Sequence, residues 1–186
     1  MTGWIVLLIV AVIVLAGVVL YNRLVRTRQM AHEGWSGIDV QLKRRADLIP
    51  NLVDTVKGYA GHERMLFEEI ARLRAEAGRI GEEDVAARGA AETRLSEAVR
   101  RLIALAEAYP DLKASENFGK LQAELATIED EIQMARRYYN GAVRNLNVMV
   151  ESFPSNVVAR LFGFRLADYF EIGADERATP AVAFKG

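Results

Sequence analysis

The 186-residue sequence contains no cysteine, which excludes disulfides, thiolate metal sites, thiol catalysis and cysteine lipidation. Histidine is nearly absent, with His32 and His62 thirty residues apart. His62-Glu63-Arg64-Met65-Leu66 starts like a His-Glu-x-x-His zinc motif, but Leu66 stands where the second imidazole must be. No Gly-rich phosphate loop follows a strand, because no stretch alternates as a strand would. The facing Glu-x-x-His pairs of a di-metal bundle are also missing, so neither a metal nor a cofactor is expected. A net charge of −1, without basic runs interleaved with aromatics, argues against nucleic acid as a partner.

Charge is missing altogether from the first 22 residues. Residues 4–21 are continuously apolar and span about 27 Å as a helix, close to the ~30 Å hydrocarbon core of a bilayer. Trp4 and Tyr21 mark its ends, where amphipathic rings favour the headgroup level, and Arg23, Arg26 and Arg28 follow at once. A cleaved signal peptide needs a basic start, a shorter run and a small-x-small site, whereas here the start is Met-Thr-Gly, the run is long and no Ala-x-Ala follows it. An uncleaved single-pass anchor over residues 1–21 is therefore expected. Six Lys or Arg lie between residues 22 and 45 and none before the span, which predicts the N-terminus outside and the body in the cytoplasm.

The remaining ~165 residues suffice for one domain, expected over 22–172 with a mostly irregular tail over 173–186. Pro50, the Gly78/Gly81 pair, Pro110 and Pro154 divide the body into long helical stretches. Trp35, Ile38, Leu42, Arg45, Ile49, Leu52, Val56 and Tyr59 repeat at 3-4 spacing straight through Pro50. His62, Leu66, Ile70 and Leu73 continue the pattern after one adjustment, so one kinked helix is predicted over 22–78. Pro50 removes the hydrogen bond to the carbonyl of residue 46 and costs about 3 kcal/mol, which packing must offset. A weaker, Ala-rich return helix is predicted over 82–109, with Val85, Ala91, Leu95, Ala98, Leu102, Ala106 and Tyr109 inward. After Ser115, a good N-cap, an apolar seam runs from Phe118 through Leu125, Ile132, Tyr139 and Leu146 to Phe153.

These lengths predict an all-α fold: the transmembrane helix continues into an elongated up-and-down bundle of three long helices, completed by a short C-terminal helix. That last helix is expected within Ser155–Phe170, with Val157, Val158, Leu161 and Phe162 on one face that packs either on the bundle or on a partner. Glu68-Glu69 and Glu129-Asp130-Glu131 read as solvated helix faces. Arg45 interrupts the first seam, and a buried arginine needs partners. Asp39, Asp47, Asn51 and Asn140 are the expected members of an interhelical polar layer around it. The opposite reading has Arg45 snorkelling to solvent along its stem.

The stretch Trp35-Ser36-Gly37-Ile38-Asp39-Val40-Gln41-Leu42-Lys43-Arg44-Arg45-Ala46-Asp47-Leu48-Ile49-Pro50-Asn51-Leu52-Val53 closely resembles the signature of the LemA family. Tyr109-Pro110-Asp111-Leu112-Lys113, Ser115-Glu116-Asn117-Phe118, Arg137-Tyr138-Tyr139-Asn140 and Val182-Ala183-Phe184 resemble its later blocks in the right order. The resemblance implies an N-terminally anchored helical bundle of bacterial type and carries over no catalytic residue. It also implies associations with membrane remodelling and with membrane-bound metallopeptidases. The expectation is thus a non-enzymatic scaffold or adaptor that contacts the lipid bilayer and assembles with copies of itself. The alternative is a regulatory partner of a membrane peptidase or another quality-control enzyme.

Overall fold

A computed structural model describes residues 2–60 and 62–171. The tail expected over 173–186 lies outside the described residues. The elements are α1 (Thr2–Lys57), α2 (Arg64–Ala77), a 3-10 turn (Glu82–Asp84), α3 (Val85–Glu107), α4 (Pro110–Lys113), α5 (Glu116–Glu151) and α6 (Ser155–Leu161). The described residues are all-α without a strand, as the seams predict. They form two compact units, one from residues 2–42 and 130–169 and the other from residues 43–129 with Phe170 and Glu171.

In the first unit one stripe of α1 beyond the anchor, Leu24, Ala31, Trp35 and Ile38, is buried. The facing stripe on α5 is Ile132, Tyr139, Ala142, Val143 and Leu146. The Trp35 and Tyr139 rings meet edge to face with centroids 5.9 Å apart, while Leu24 shares a cluster with Leu146. Rising numbers on α1 thus meet falling numbers on α5, and the two segments are antiparallel. Gly34 permits their approach, since a Cβ there would stand 2.9 Å from the Tyr139 Cα.

The C-terminal segment closes this unit. At the end of α6, Gly163 adopts a left-handed φ of 71°. Its N–H donates to the Arg160 carbonyl at 3.4 Å and the Phe164 N–H donates to the Ala159 carbonyl at 2.9 Å, the paired bonds of a Schellman stop. The reversal delivers Phe164 into the Leu24, Leu146 and Ala159 cluster. Farther on, the Asn147 amide brackets Ala167, donating to its carbonyl and accepting from its N–H at 2.9 Å each. The Tyr139 hydroxyl donates to the Asp168 carbonyl at 2.9 Å.

In the second unit α1 runs unbroken through Pro50 but stops at Lys57, correcting the helix expected to reach residue 78. Gly58 and Gly61 lie just beyond, and each glycine costs about 1 kcal/mol in a helix interior. The chain turns there, with the Tyr59 and Ala60 N–H groups both donating to the Val56 carbonyl. Ala60 takes the buried position that the seam assigned to Tyr59, which is 47 % exposed. Helix α2 then returns antiparallel to α1: its first turns hold Phe67 under Lys57, and Arg74 reaches back to Ala46. Pairs Arg101–Glu69 at 2.7 Å and Arg94–Glu76 at 2.6 Å set α3 antiparallel to α2. Asn117 on α5 meets Thr55 on α1, and Glu129 meets Arg45, so α5 again opposes α1. Between them lie Ile49, Leu52, Ile70, Leu73, Leu95, Leu102, Leu112 and Ile128, all essentially inaccessible.

Candidate functional site

Two features stand apart from ordinary core packing: an exposed apolar span and a buried set of charges. Along the span every side chain from Trp4 to Leu15 is exposed, with Trp4 at 79 %. Among the described residues α1 is the one helix long and apolar enough to cross a membrane. At the exit the aromatic and basic residues have distinct environments. The Tyr21 ring lies 4.7 Å from that of Phe162 and 5.9 Å from that of Phe164. The Arg28 guanidinium sits over Phe164 at 4.9 Å, a cation–π contact, while Arg23 and Arg26 line an open groove with Asn22, Thr27 and Met30.

The charges lie in the second unit. Arg45 is 1 % exposed, so it does not snorkel. Its two terminal nitrogens donate to Ser96 Oγ at 2.7 Å, Glu129 Oε1 at 2.7 Å and Glu92 Oε2 at 2.5 Å. The other Glu92 oxygen accepts from Arg88 Nε at 2.9 Å, and Arg88 donates onward to the Ile80 carbonyl at 2.6 Å. Two guanidinium groups thus balance two carboxylates. Burial works against the Arg45 charge, but the Glu129 and Glu92 carboxylates outweigh it and hold its pKa above the ordinary arginine value. Both Glu92 oxygens are occupied by guanidinium donors. Such a set ties α1, α3 and α5 together and leaves no carboxylate oxygen of Glu92 free for proton transfer.

The membership differs from the expected layer. Asp39, Asp47 and Asn51 are exposed, and Asn140 is half-buried in the first unit. At about 100° per residue, Asp39, Asp47 and Asn51 lie roughly 120–160° around α1 from Arg45, on the side turned away from the seam. Asp47 faces Arg74 at 3.8 Å instead. Glu129, expected on a solvated face, is drawn to Arg45. Arg88, Glu92 and Ser96 lie outside the apolar seam, although the sequence carries a signal for the first two: Val85, Arg88, Glu92, Leu95, Val99, Leu102 and Ala106 keep 3-4 spacing, and Ser96 follows Glu92 by one turn. The expected inward residues Val85, Ala91, Leu95, Ala98, Leu102 and Ala106 are buried as well, but a face defined by alanines and aliphatics alone leaves out the ion pair.

The remaining candidates stay apart from this cluster. His62 and Glu63 are exposed ahead of α2, and Glu69 pairs with Arg101. Among the described residues no three His, Cys, Asp or Glu side chains group as metal ligands would.

An all-α fold with an apolar N-terminal span among the described residues defines a membrane-associated class. The model of the LemA family matches residues 34–184. The chain belongs to the LemA family. It is 27 % identical to Protein LemA of Metamycoplasma hominis, over 84 % of this chain and 71 % of that protein. It is 26 % identical to Magnetosome protein MamQ 1 of Paramagnetospirillum magneticum and to Magnetosome protein MamQ of Magnetospirillum gryphiswaldense, in each case over 81 % of this chain. The chain spans 64 % of the length of those magnetosome relatives.

Proposed function

We propose that this chain is a membrane-anchored, non-enzymatic scaffold or adaptor of the bacterial envelope, acting through helix faces and self-assembly, with its body in the cytoplasm. The observation that carries the reading is the Arg45–Glu92–Arg88 cluster. The most deeply buried charged groups among the described residues neutralise one another and join helices, which is the work of a frame. Confinement to a membrane raises the effective concentration of neighbouring copies, so weak contacts suffice for assembly. The similarity to proteins named for the magnetosome and to a LemA protein supports the membrane setting of this reading.

Crosslinking in native membranes tests this reading. Discrete homo-oligomers are expected, and a strictly monomeric protein overturns self-assembly. Co-purification from detergent addresses the adaptor role: a stoichiometric membrane peptidase would replace the scaffold by the regulatory-partner reading. Protease added outside sealed right-side-out vesicles should spare the body; digestion there reverses the topology.

A further inference from the structure

Helix α6 carries its apolar residues on the wrong side for a core helix. Its buried side chains are Ser155 and Ala159. Val157 and Leu161, one turn apart and opposite that face, are 58 % and 77 % exposed. Phe153 and Phe162 at either end are 82 % and 57 % exposed, and Leu166 beyond the reversal is 56 % exposed. Exposed apolar side chains concentrated in one short segment mark a contact surface.

Three observations identify what covers it. The first is position: Phe162 packs on Tyr21, the last residue of the apolar span, and Ala159 packs in the cluster of Leu24. Leu24 lies about 4.5 Å along the helix beyond Tyr21, within the ~5–7 Å interfacial layer of one leaflet. The second is charge: residues 21–32 and 152–167 contain five arginines and no Asp or Glu. Arg160 and Arg165 on the C-terminal segment are exposed, as are Arg23, Arg26 and Arg28. The third is chemistry: an apolar face flanked by arginine and aromatic side chains is the composition of a segment lying in a headgroup layer.

We infer that α6 is a second membrane contact, lying in the interfacial layer of the leaflet that α1 leaves, with Val157, Leu161 and Phe162 toward the acyl chains and the arginines among anionic headgroups. The anchor then holds the first unit at two points rather than one, which restricts its tilt about the exit of α1. This inference rests on the span and is independent of self-assembly.

The cysteine-free chain makes the test direct. Single cysteines replace Val157, Leu161 or, as a control, Val40, and carry a polarity-sensitive fluorophore. Val40 is 56 % exposed and lies about 28 Å along α1 from Tyr21. The full chain is reconstituted into vesicles of phosphatidylethanolamine and phosphatidylglycerol containing lipids with a nitroxide high on the acyl chain. Labels at 157 and 161 are expected to shift to the blue and lose most of their emission to the nitroxide, and the label at 40 to do neither. A water-exposed, unquenched label at 161 overturns the inference. So does a blue-shifted label that the lipid nitroxide leaves bright, because the face is then covered by protein. Circular dichroism matching the parent shows that the variants are folded.

Discussion

The Nε of Arg74 donates to the carbonyl oxygen of Ala46 at 2.6 Å, and that oxygen is the one Pro50 deprives of its helical donor. Proline is thus accommodated inside α1 by a side chain from the next helix. The arrangement needs the hairpin between α1 and α2, because an uninterrupted helix to residue 78 would carry Arg74 away from Ala46. The break after Lys57 and the unbroken passage through Pro50 are two parts of one solution.

Replacing Arg74 with Met should therefore destabilise the protein by about 1–2 kcal/mol, the range for a half-exposed hydrogen bond from a charged donor. In a Pro50→Ala background an N–H again serves the Ala46 carbonyl, and the same replacement should cost measurably less. A double-mutant cycle by denaturant unfolding in detergent reads the coupling. Equal effects in both backgrounds would show that Arg74 acts through its packing or through Asp47.

The charge cluster makes a prediction with two opposite signs. Glu92→Leu leaves Arg45 and Arg88 buried together, and a loss of about 3–5 kcal/mol is expected. Replacing the fully buried members at once, with Arg45→Met and Arg88→Met added, removes the buried uncompensated charges and leaves only the 39 % exposed Glu129, which water can solvate, so most of that loss should be recovered. The pH sign is equally definite. The folded pKa of Arg45 is raised, so its contribution is fully present below the unfolded arginine value and disappears only as pH climbs through the higher folded one. Alkaline titration within the working range of the fold should leave the Arg45 contribution intact.

Much of this architecture was legible in the residues. The seam positions Trp35, Ile38, Leu42, Ile49, Leu52 and Val56 are buried because 3-4 spacing is a direct statement about one face of a helix. Less legible was the chain reversal at Gly58. The apolar phase resumes at Ile70 and Leu73, and periodicity alone does not distinguish a bent helix from a hairpin. A bundle with one reversal fewer has α5 running in the same sense as α1, whereas in the first unit it runs opposite. Its end therefore returns to Leu24, and α6 packs beside Tyr21. The Arg45 partners were hidden for another reason. Glu92 is a charged residue in a buried register, and an inward set chosen by hydrophobicity passes over it.

Gly34 offers a steric test of the first unit. An added Cβ would meet the Tyr139 Cα at 2.9 Å and the Tyr138 Cδ1 at 3.1 Å, and helix backbone does not yield as a flexible side chain does. Gly34→Ala gains helix propensity yet should still destabilise by about 1–3 kcal/mol through overpacking. Gly37, three residues on, meets nothing within 4 Å, so Gly37→Ala should stabilise by up to about 1 kcal/mol. Opposite shifts in unfolding midpoint between these two variants would establish the close approach; parallel shifts would count against it.

The left-handed φ of 71° at Gly163 ties the C-terminal segment to the anchor exit. Any L-residue there costs about 1–2 kcal/mol, although a Cβ would meet nothing within 4 Å. Gly163→Ala should therefore loosen the Schellman stop without a clash and weaken the seating of Phe164 against Leu24. Because the Arg28 guanidinium lies over the Phe164 ring, Arg28→Gln should then add less destabilisation in the Gly163→Ala background than in the parent. Amide exchange supplies the local reading: the Phe164 and Ala167 N–H groups should lose protection in Gly163→Ala while amides in α3 keep theirs. Uniform loss across the chain would mean that the reversal supports the whole fold rather than the C-terminal segment alone.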